Sequence, residues 1–144
     1  MLELNHIKKF YNPGSVSEMC LFQDFNMAIQ EGEFVSVVGS NGSGKTSLLN
    51  LVCGSIDADA GSIVVNDADI TNKKEYLRHK KIGRVYQNPA AGTCPGMTIL
   101  ENMAIADRKA KGYGLGRCIR KQRTGDYREM LAELGLGLED KLDT

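Results

Sequence analysis

The sequence predicts an α/β fold built around a glycine-rich loop, and three observations carry that prediction. First, Phe34-Val35-Ser36-Val37-Val38 is short, β-branched and almost continuously apolar, the pattern of a strand buried on both faces of a parallel sheet. Second, this run leads straight into Gly39-Ser40-Asn41-Gly42-Ser43-Gly44-Lys45-Thr46. Third, residues 46–52 follow with apolar spacing that fits a helix. The 144 residues have room for one domain, and 42% hydrophobic with 25% charged residues is an ordinary globular balance. That composition excludes a disordered chain, a collagen-like repeat and a coiled coil.

Taken in order, residues 2–7 and 22–29 read as two extended segments, with Phe22, Phe25, Met27 and Ile29 as the larger apolar residues of the second. Asn12-Pro13-Gly14-Ser15 between them is a turn, because proline presets φ and glycine accepts positive φ. Glu31-Gly32-Glu33 is a second turn, ahead of the strand predicted over 34–38. After the loop and its helix, residues 57–61 are turn-like and 62–66 form another strand. Residues 73–81 are polar and helical or irregular, and 82–87 are a further strand. Pro89, Gly92, Pro95 and Gly96 then break regular structure.

Thr98-Ile99-Leu100-Glu101 matches a capping box, so a helix is expected from there to about residue 109. Gly112, Gly114 and Gly116 punctuate a loop. A second helix is predicted over 118–134, with Tyr127, Met130, Leu131 and Leu134 on one face. Residues 135–144 contain no closing strand.

The formal net charge of +0 is a cancellation, with 3 basic and 9 acidic residues in 1–72 against 15 basic and 9 acidic in 73–144. Solvated faces produce such asymmetry more often than anionic partners do. The cysteines at 20, 53, 94 and 118 show no metal-ligand spacing and read as reduced packing residues. His6 and His79 lie in polar stretches and read as solvated, and Met97, Met103 and Met130 as core or groove filling. Without a long apolar run or a signal-peptide pattern, a soluble cytoplasmic protein is the default expectation.

The glycine-rich loop satisfies G-x-x-x-x-G-K-[ST], a pattern that a random chain of this length matches with a probability on the order of half a percent. Its chemistry follows from its residue types. Glycines let successive backbone N–H groups point at a phosphate without Cβ obstruction, and the helix that follows adds its positive end. Lys45 places a cation on the β/γ-phosphate oxygens, Thr46 Oγ can ligate Mg²⁺, and Ser47 can donate to the α-phosphate.

Because 38 residues and about two strands precede this loop, the chain resembles the ABC-type ATPases, in which an antiparallel β-layer comes before it. The resemblance is to the N-terminal portion of an ABC transporter ATP-binding subunit, and it spans essentially all 144 residues. It implies a P-loop NTPase core with an N-terminal antiparallel β-layer and the start of a helical subdomain, an incomplete ABC ATPase domain. Within it, residues 1–88 would carry the β-layer, Walker A core and Q-loop, and 89–144 the start of the helical subdomain. The family's adenine-stacking aromatic would be Tyr11, with Phe10 as the competing residue. Its Walker A segment is matched by Gly39, Gly42, Gly44, Lys45, Thr46 and Ser47, with Ser40, Asn41 and Ser43 completing the cradle. Gln87 in Arg84-Val85-Tyr86-Gln87-Asn88-Pro89 would be the Q-loop glutamine, near Mg²⁺ and the attacking water and relaying to the helical subdomain. Lys45 and Gln87 are therefore the expected catalytic residues, and Thr46 and Gln87 the expected metal contacts.

Residues 92–102 resemble the surface that meets the membrane-embedded permease. Asn12-Pro13-Gly14, Asn88-Pro89 and Gly92-Thr93 are similar to importers paired with permeases of the branched-chain-amino-acid type. What the resemblance implies is an ATPase with ATP and Mg²⁺ as cofactors, peripheral on the inner face of the cell membrane. Its partners would be a permease, a second ATPase subunit and a solute-binding protein, with no nucleic acid. The 144 residues contain no LSGGQ-like signature, no Walker B strand ending in Asp-Glu and no downstream switch His. The expectation is a domain cut before those elements, binding ATP without useful hydrolysis, with a bare 35–38 strand edge. Two alternatives stand beside it: a non-transport ABC ATPase acting on nucleic acid or the ribosome through the seven basic residues of 108–123, and a non-hydrolysing nucleotide-binding module.

Overall fold

The computed structural model describes residues 1–108, 119 and 121–144. It divides into two compact units, Met1–Gly83 and Arg84–Thr144. Cys118, the loop glycines 112–116 and most of the basic stretch 108–123 lie outside the described residues.

In the first unit, strands β1 (Leu2–Tyr11) and β2 (Met19–Ile29) are joined by the predicted Asn12 turn and pair antiparallel from Leu2↔Ile29 to Tyr11↔Met19. Strand β3 (Ala60–Val65) pairs antiparallel with the other edge of β1, and β4 (Ala68–Asp69) with β3, giving the sheet order β2-β1-β3-β4. The β1–β2 pair is antiparallel and precedes the loop, as expected, while β3 and β4 follow α1 in sequence. Helix α1 (Lys45–Cys53) buries Leu48 and Leu51 with Leu4, Ile7, Ile63 and Ile70 in one core. Each such side chain withdrawn from water contributes about 1.5–3 kcal/mol.

Leu4 and Ile7 are both fully buried, although a regular strand would turn residues three apart to opposite faces. A bulge at His6 resolves this. His6 sits at φ 52 and its N–H donates to Asn26 Oδ1 at 2.8 Å, while its ring Nδ1 lies 2.8 Å from Asp24 Oδ1. One extra β1 residue is taken up between Leu4↔Met27 and Ile7↔Phe25. β3 accommodates the bulge at Gly61 (φ 96), where a Cβ would stand 2.6 Å from the carbonyl oxygens of Asn5 and His6.

Two predicted strands are not formed. Residues 34–38 and 82–87 join no strand ladder among the described residues, and Phe34 and Val38 are 95% and 92% exposed. The physical reason is the ladder. A strand's backbone N–H and C=O groups need a partner on at least one edge, and among the described residues neither run pairs with another strand. The polar stretch 73–81 contains a single helical turn, α2 (Glu75–Arg78). Its Arg78 is 2% exposed, because Nη1 donates to Leu51 O at 2.6 Å, Nη2 to Thr71 O at 2.7 Å and Nε to Lys73 O at 2.8 Å. Arg78 thus gives the Leu51 carbonyl in the last turn of α1 a second donor beside the Gly54 N–H, which lies at 3.3 Å. Burial pushes its guanidinium below the ordinary value, and the field of Asp57 opposes that shift.

In the second unit, a 3₁₀ turn (Pro89–Ala91) precedes α3 (Ile99–Arg108) and α4 (Lys121–Ala132). The capping box forms as predicted: the Thr98 N–H donates to Glu101 Oε2 at 2.9 Å, and the Glu101 N–H to Thr98 Oγ1 at 3.2 Å. Ala104, Tyr127, Leu131 and Leu142 make the core of this unit. The predicted apolar face of α4 is narrower than expected, since Tyr127 and Leu131, one turn apart, are buried while Met130 and Leu134 are exposed. Met97 is likewise exposed, and Met103 packs at the edge of the core. His6 is exposed, as expected, whereas His79 is mostly covered and lies 3.3 Å from Glu75.

Candidate functional site

The site is built where β1 ends and α1 begins. Gly44 is the N-cap of α1, at φ 90, and no side chain caps the helix. A Cβ there would meet Leu21 Cδ1 at 2.9 Å, so the absence of a side chain lets the loop close against β2. The first N–H groups of α1 have no intrahelical carbonyl to bond and point toward the loop, which is the arrangement that receives an anion. The Lys45 ammonium folds back over it, donating to Gly39 O and Ser40 O at 2.7 Å each, with Ser43 Oγ at 3.5 Å. An ammonium has three donors. Two are committed to the loop's own carbonyls, and the third is held only by the long Ser43 contact.

Beyond the bulge, the further register shifts, between Ile7 and Lys9 and between Lys9 and Phe10, are taken up by extra residues of β2, so Ile7, Lys9 and Tyr11 of β1 share one face. The residue count decides which aromatic reaches the loop. Were the same residues paired without a bulge at His6, the face that carries Leu4 would carry Phe10; with the bulge, that face carries Tyr11. Tyr11 Oη donates to Ser47 Oγ at 3.4 Å, and Ser47 is in the first turn of α1. Lys9 Nζ lies 5.9 Å from the centroid of the Tyr11 ring. Tyr11, Lys45 and Ser47 thus gather in one unit. A hollow of about 450 Å³ adjoins the loop on its other side, lined by Phe22, Phe25 and Met27 of β2 and by residues 35–39.

Thr46 is exposed beside Lys45 in the same turn. Ser40, Asn41, Gly42 and Ser43 form the exposed outer curve of the loop. Gln87 is also exposed and belongs to the second unit. Among the described residues, no three His, Cys, Asp or Glu side chains cluster as a metal site. The groups present still fit a nucleotide with its Mg²⁺: uncapped N–H donors and a lysine for phosphate, one hydroxyl for the metal, and a tyrosine ring beside them.

Two residues that matter to this site carry no signal in the sequence. Asp59 accepts the Phe10 N–H at 2.6 Å through Oδ2 and the Lys9 ammonium at 3.0 Å through Oδ1. It sits in a run that reads only as a turn. The bulge at His6 is equally silent, because nothing in Leu-Asn-His-Ile announces an extra residue.

A family model described as ABC transporter matches residues 22–143. The tyrosine transport ATP-binding protein of Clostridioides difficile is 37% identical over 99% of this chain and 57% of its own length. The spermidine/putrescine import ATP-binding protein PotA of Haemophilus influenzae is 41% identical over 77% of this chain and 27% of its own. Among solved structures, the dimeric post-hydrolysis ATP-binding cassette MJ0796, bound to ADP and Pi, is 27% identical with a TM-score of 0.77, over 99% of this chain and 60% of that one. The chain therefore spans well under two thirds of the length of these relatives.

Proposed function

Because the chain belongs to the ABC transporter family, through its ATP-binding domain, we propose that its first unit binds ATP and that the whole protein powers import of a small solute. The observation that carries this reading is the meeting of Tyr11 with Ser47 beside a loop closed by Lys45. Each group then has a defined task. The uncapped N–H groups at residues 45–47 and the loop from Gly39 through Ser40, Asn41, Gly42, Ser43 and Gly44 cradle the phosphates. Lys45 turns its third donor to a β/γ-phosphate oxygen while its bonds to Gly39 O and Ser40 O keep it aimed. Ser47 donates to the α-phosphate, and the Tyr11 ring offers a π-face to adenine at small entropic cost. Thr46 Oγ would hold Mg²⁺, a role that the family resemblance also implies for Gln87. ATP with Mg²⁺ supplies the phosphoanhydride cleavage that drives transport.

The partners of this reading are a permease, a second ATPase subunit and a solute-binding protein, at the cytoplasmic face of the membrane. No described helix is long and apolar enough to cross a membrane, which suits an ATPase held there by a permease. The relatives named for tyrosine transport and for spermidine/putrescine import, and the dimeric cassette, support the same assignment. The 144 residues alone are proposed to bind without turning over, since signature, Walker B and switch His are not among them.

Calorimetric titration of the purified chain with Mg²⁺-ATP tests the reading. Binding that Lys45→Ala weakens by roughly 100-fold is expected, as for loss of a charge-assisted phosphate contact of about 3 kcal/mol. Absence of binding, or binding indifferent to Lys45→Ala, would overturn it, and Lys45-dependent turnover would overturn the inactivity of this chain.

A further inference from the structure

The end of β1 is held by a side chain rather than by a neighbouring strand. The last β1–β3 pair is Lys8↔Ala60, beyond which β3 has no residue to offer. The next N–H on that edge is that of Phe10, and it would face solvent without a carbonyl partner. Asp59 Oδ2 takes the carbonyl's place at 2.6 Å. The same residue's N–H donates to Lys8 O at 2.9 Å, and its Oδ1 accepts the Lys9 ammonium at 3.0 Å. Three successive residues, Lys8 to Phe10, are therefore fixed by one aspartate, and the residue after them is Tyr11.

We propose that Asp59 is a positioning residue for the Tyr11 ring, making the adenine platform rigid by completing the β1 edge and by holding Lys9 against the ring. The inference rests on the nucleotide-binding reading above. Lys9 is anchored to Asp59 while lying 5.9 Å from the Tyr11 ring centroid, so the aspartate acts on the tyrosine both through the backbone and through this cation. Tyr11 in turn reaches Ser47, which gives the ring a fixed height above the loop. The Phe10 N–H, and after it Lys9, hold the Asp59 carboxyl below its ordinary range, as befits a carboxylate that is the acceptor in both bonds.

The role separates from general stabilisation by choice of probe. ATP engages base platform and phosphate cradle, whereas inorganic tripolyphosphate engages the cradle alone. Asp59→Ala in the full chain is expected to weaken ATP binding about fivefold, the low end of what losing an aromatic stacking platform does to base binding. Tripolyphosphate affinity should stay unchanged. In a Tyr11→Ala background, Asp59→Ala should cost ATP binding nothing further. Asp59→Asn keeps an acceptor for the Phe10 N–H, so it folds where the alanine variant fails to, and it should show a smaller loss confined to ATP. Equal losses for both probes, no loss for either, or an additive loss in the Tyr11→Ala background would overturn the proposal while leaving the nucleotide site standing. A wild-type chain that binds neither probe would overturn both readings.

Discussion

β1 and the segment that enters the phosphate loop are made of similar material and meet opposite fates. Leu4 and Ile7 of β1 are fully buried between two paired strands and a helix. Phe34, Val35, Val37 and Val38 are more apolar as a run, yet they are exposed and unpaired among the described residues. The difference is not hydrophobicity. β1 is paired with a strand on both edges, and residues 34–38 pair with no strand among the described residues, so apolar content alone does not set a backbone into a strand. The phosphate loop therefore hangs between a bare entering segment and a well-packed leaving helix.

Three substitutions sharpen or break this contrast. The largest effect is expected for Leu51→Ala, which empties a side chain at 0% exposure in the core that α1 shares with β1. Chemical denaturation should show a loss of about 2–5 kcal/mol, and a loss under about 1 kcal/mol would mean that α1 is not packed on the sheet. Next comes Gly61→Ala. Its Cβ would press on Asn5 O and His6 O at 2.6 Å with φ at 96, so a cost of roughly 1–3 kcal/mol is expected. The same variant should weaken ATP binding while folded, because displacing the bulge moves Tyr11; unchanged ATP affinity would break the link between bulge and site. The smallest effect belongs to Val38→Thr, at a residue 92% exposed, which should change stability by less than about 0.5 kcal/mol. A cost above about 1 kcal/mol would show that residues 34–38 are covered in solution and abolish the contrast with β1.

Much of this was legible in the residues. The phosphate loop announces itself because each of its positions answers a steric or electrostatic demand that few residues meet, and α1 follows it as predicted. The Thr98–Glu101 capping box is legible for the same reason: both of its bonds lie within four residues. β1, β2 and β3 were found with their ends misjudged; β1 runs on to Tyr11 where the pattern predicts an end at residue 7. The failures are all non-local. Residues 34–38 and 82–87 have strand composition, but pairing depends on other segments and leaves no trace in the run itself. Arg78 reads as one more surface cation, and only the carbonyls of Leu51, Thr71 and Lys73 make it a buried one. Asp59 reads as a turn residue, and its bonds to Lys9 and Phe10 cross 50 and 49 positions of chain.

The bulge at His6 has a consequence for comparing sequences. It sets the parity of everything downstream in β1, so the aromatic that reaches Ser47 is chosen by a count and not by its immediate neighbours. Flattening the bulge with every residue kept would turn Phe10 to the loop in place of Tyr11, whereas deleting the bulged residue would leave Tyr11 there. An alignment that sets the compensating gap after Tyr11 instead of at the bulge would assign the wrong ring. For a chain of this kind, the register of a strand is part of the binding site's specification, as much as the glycines and the lysine.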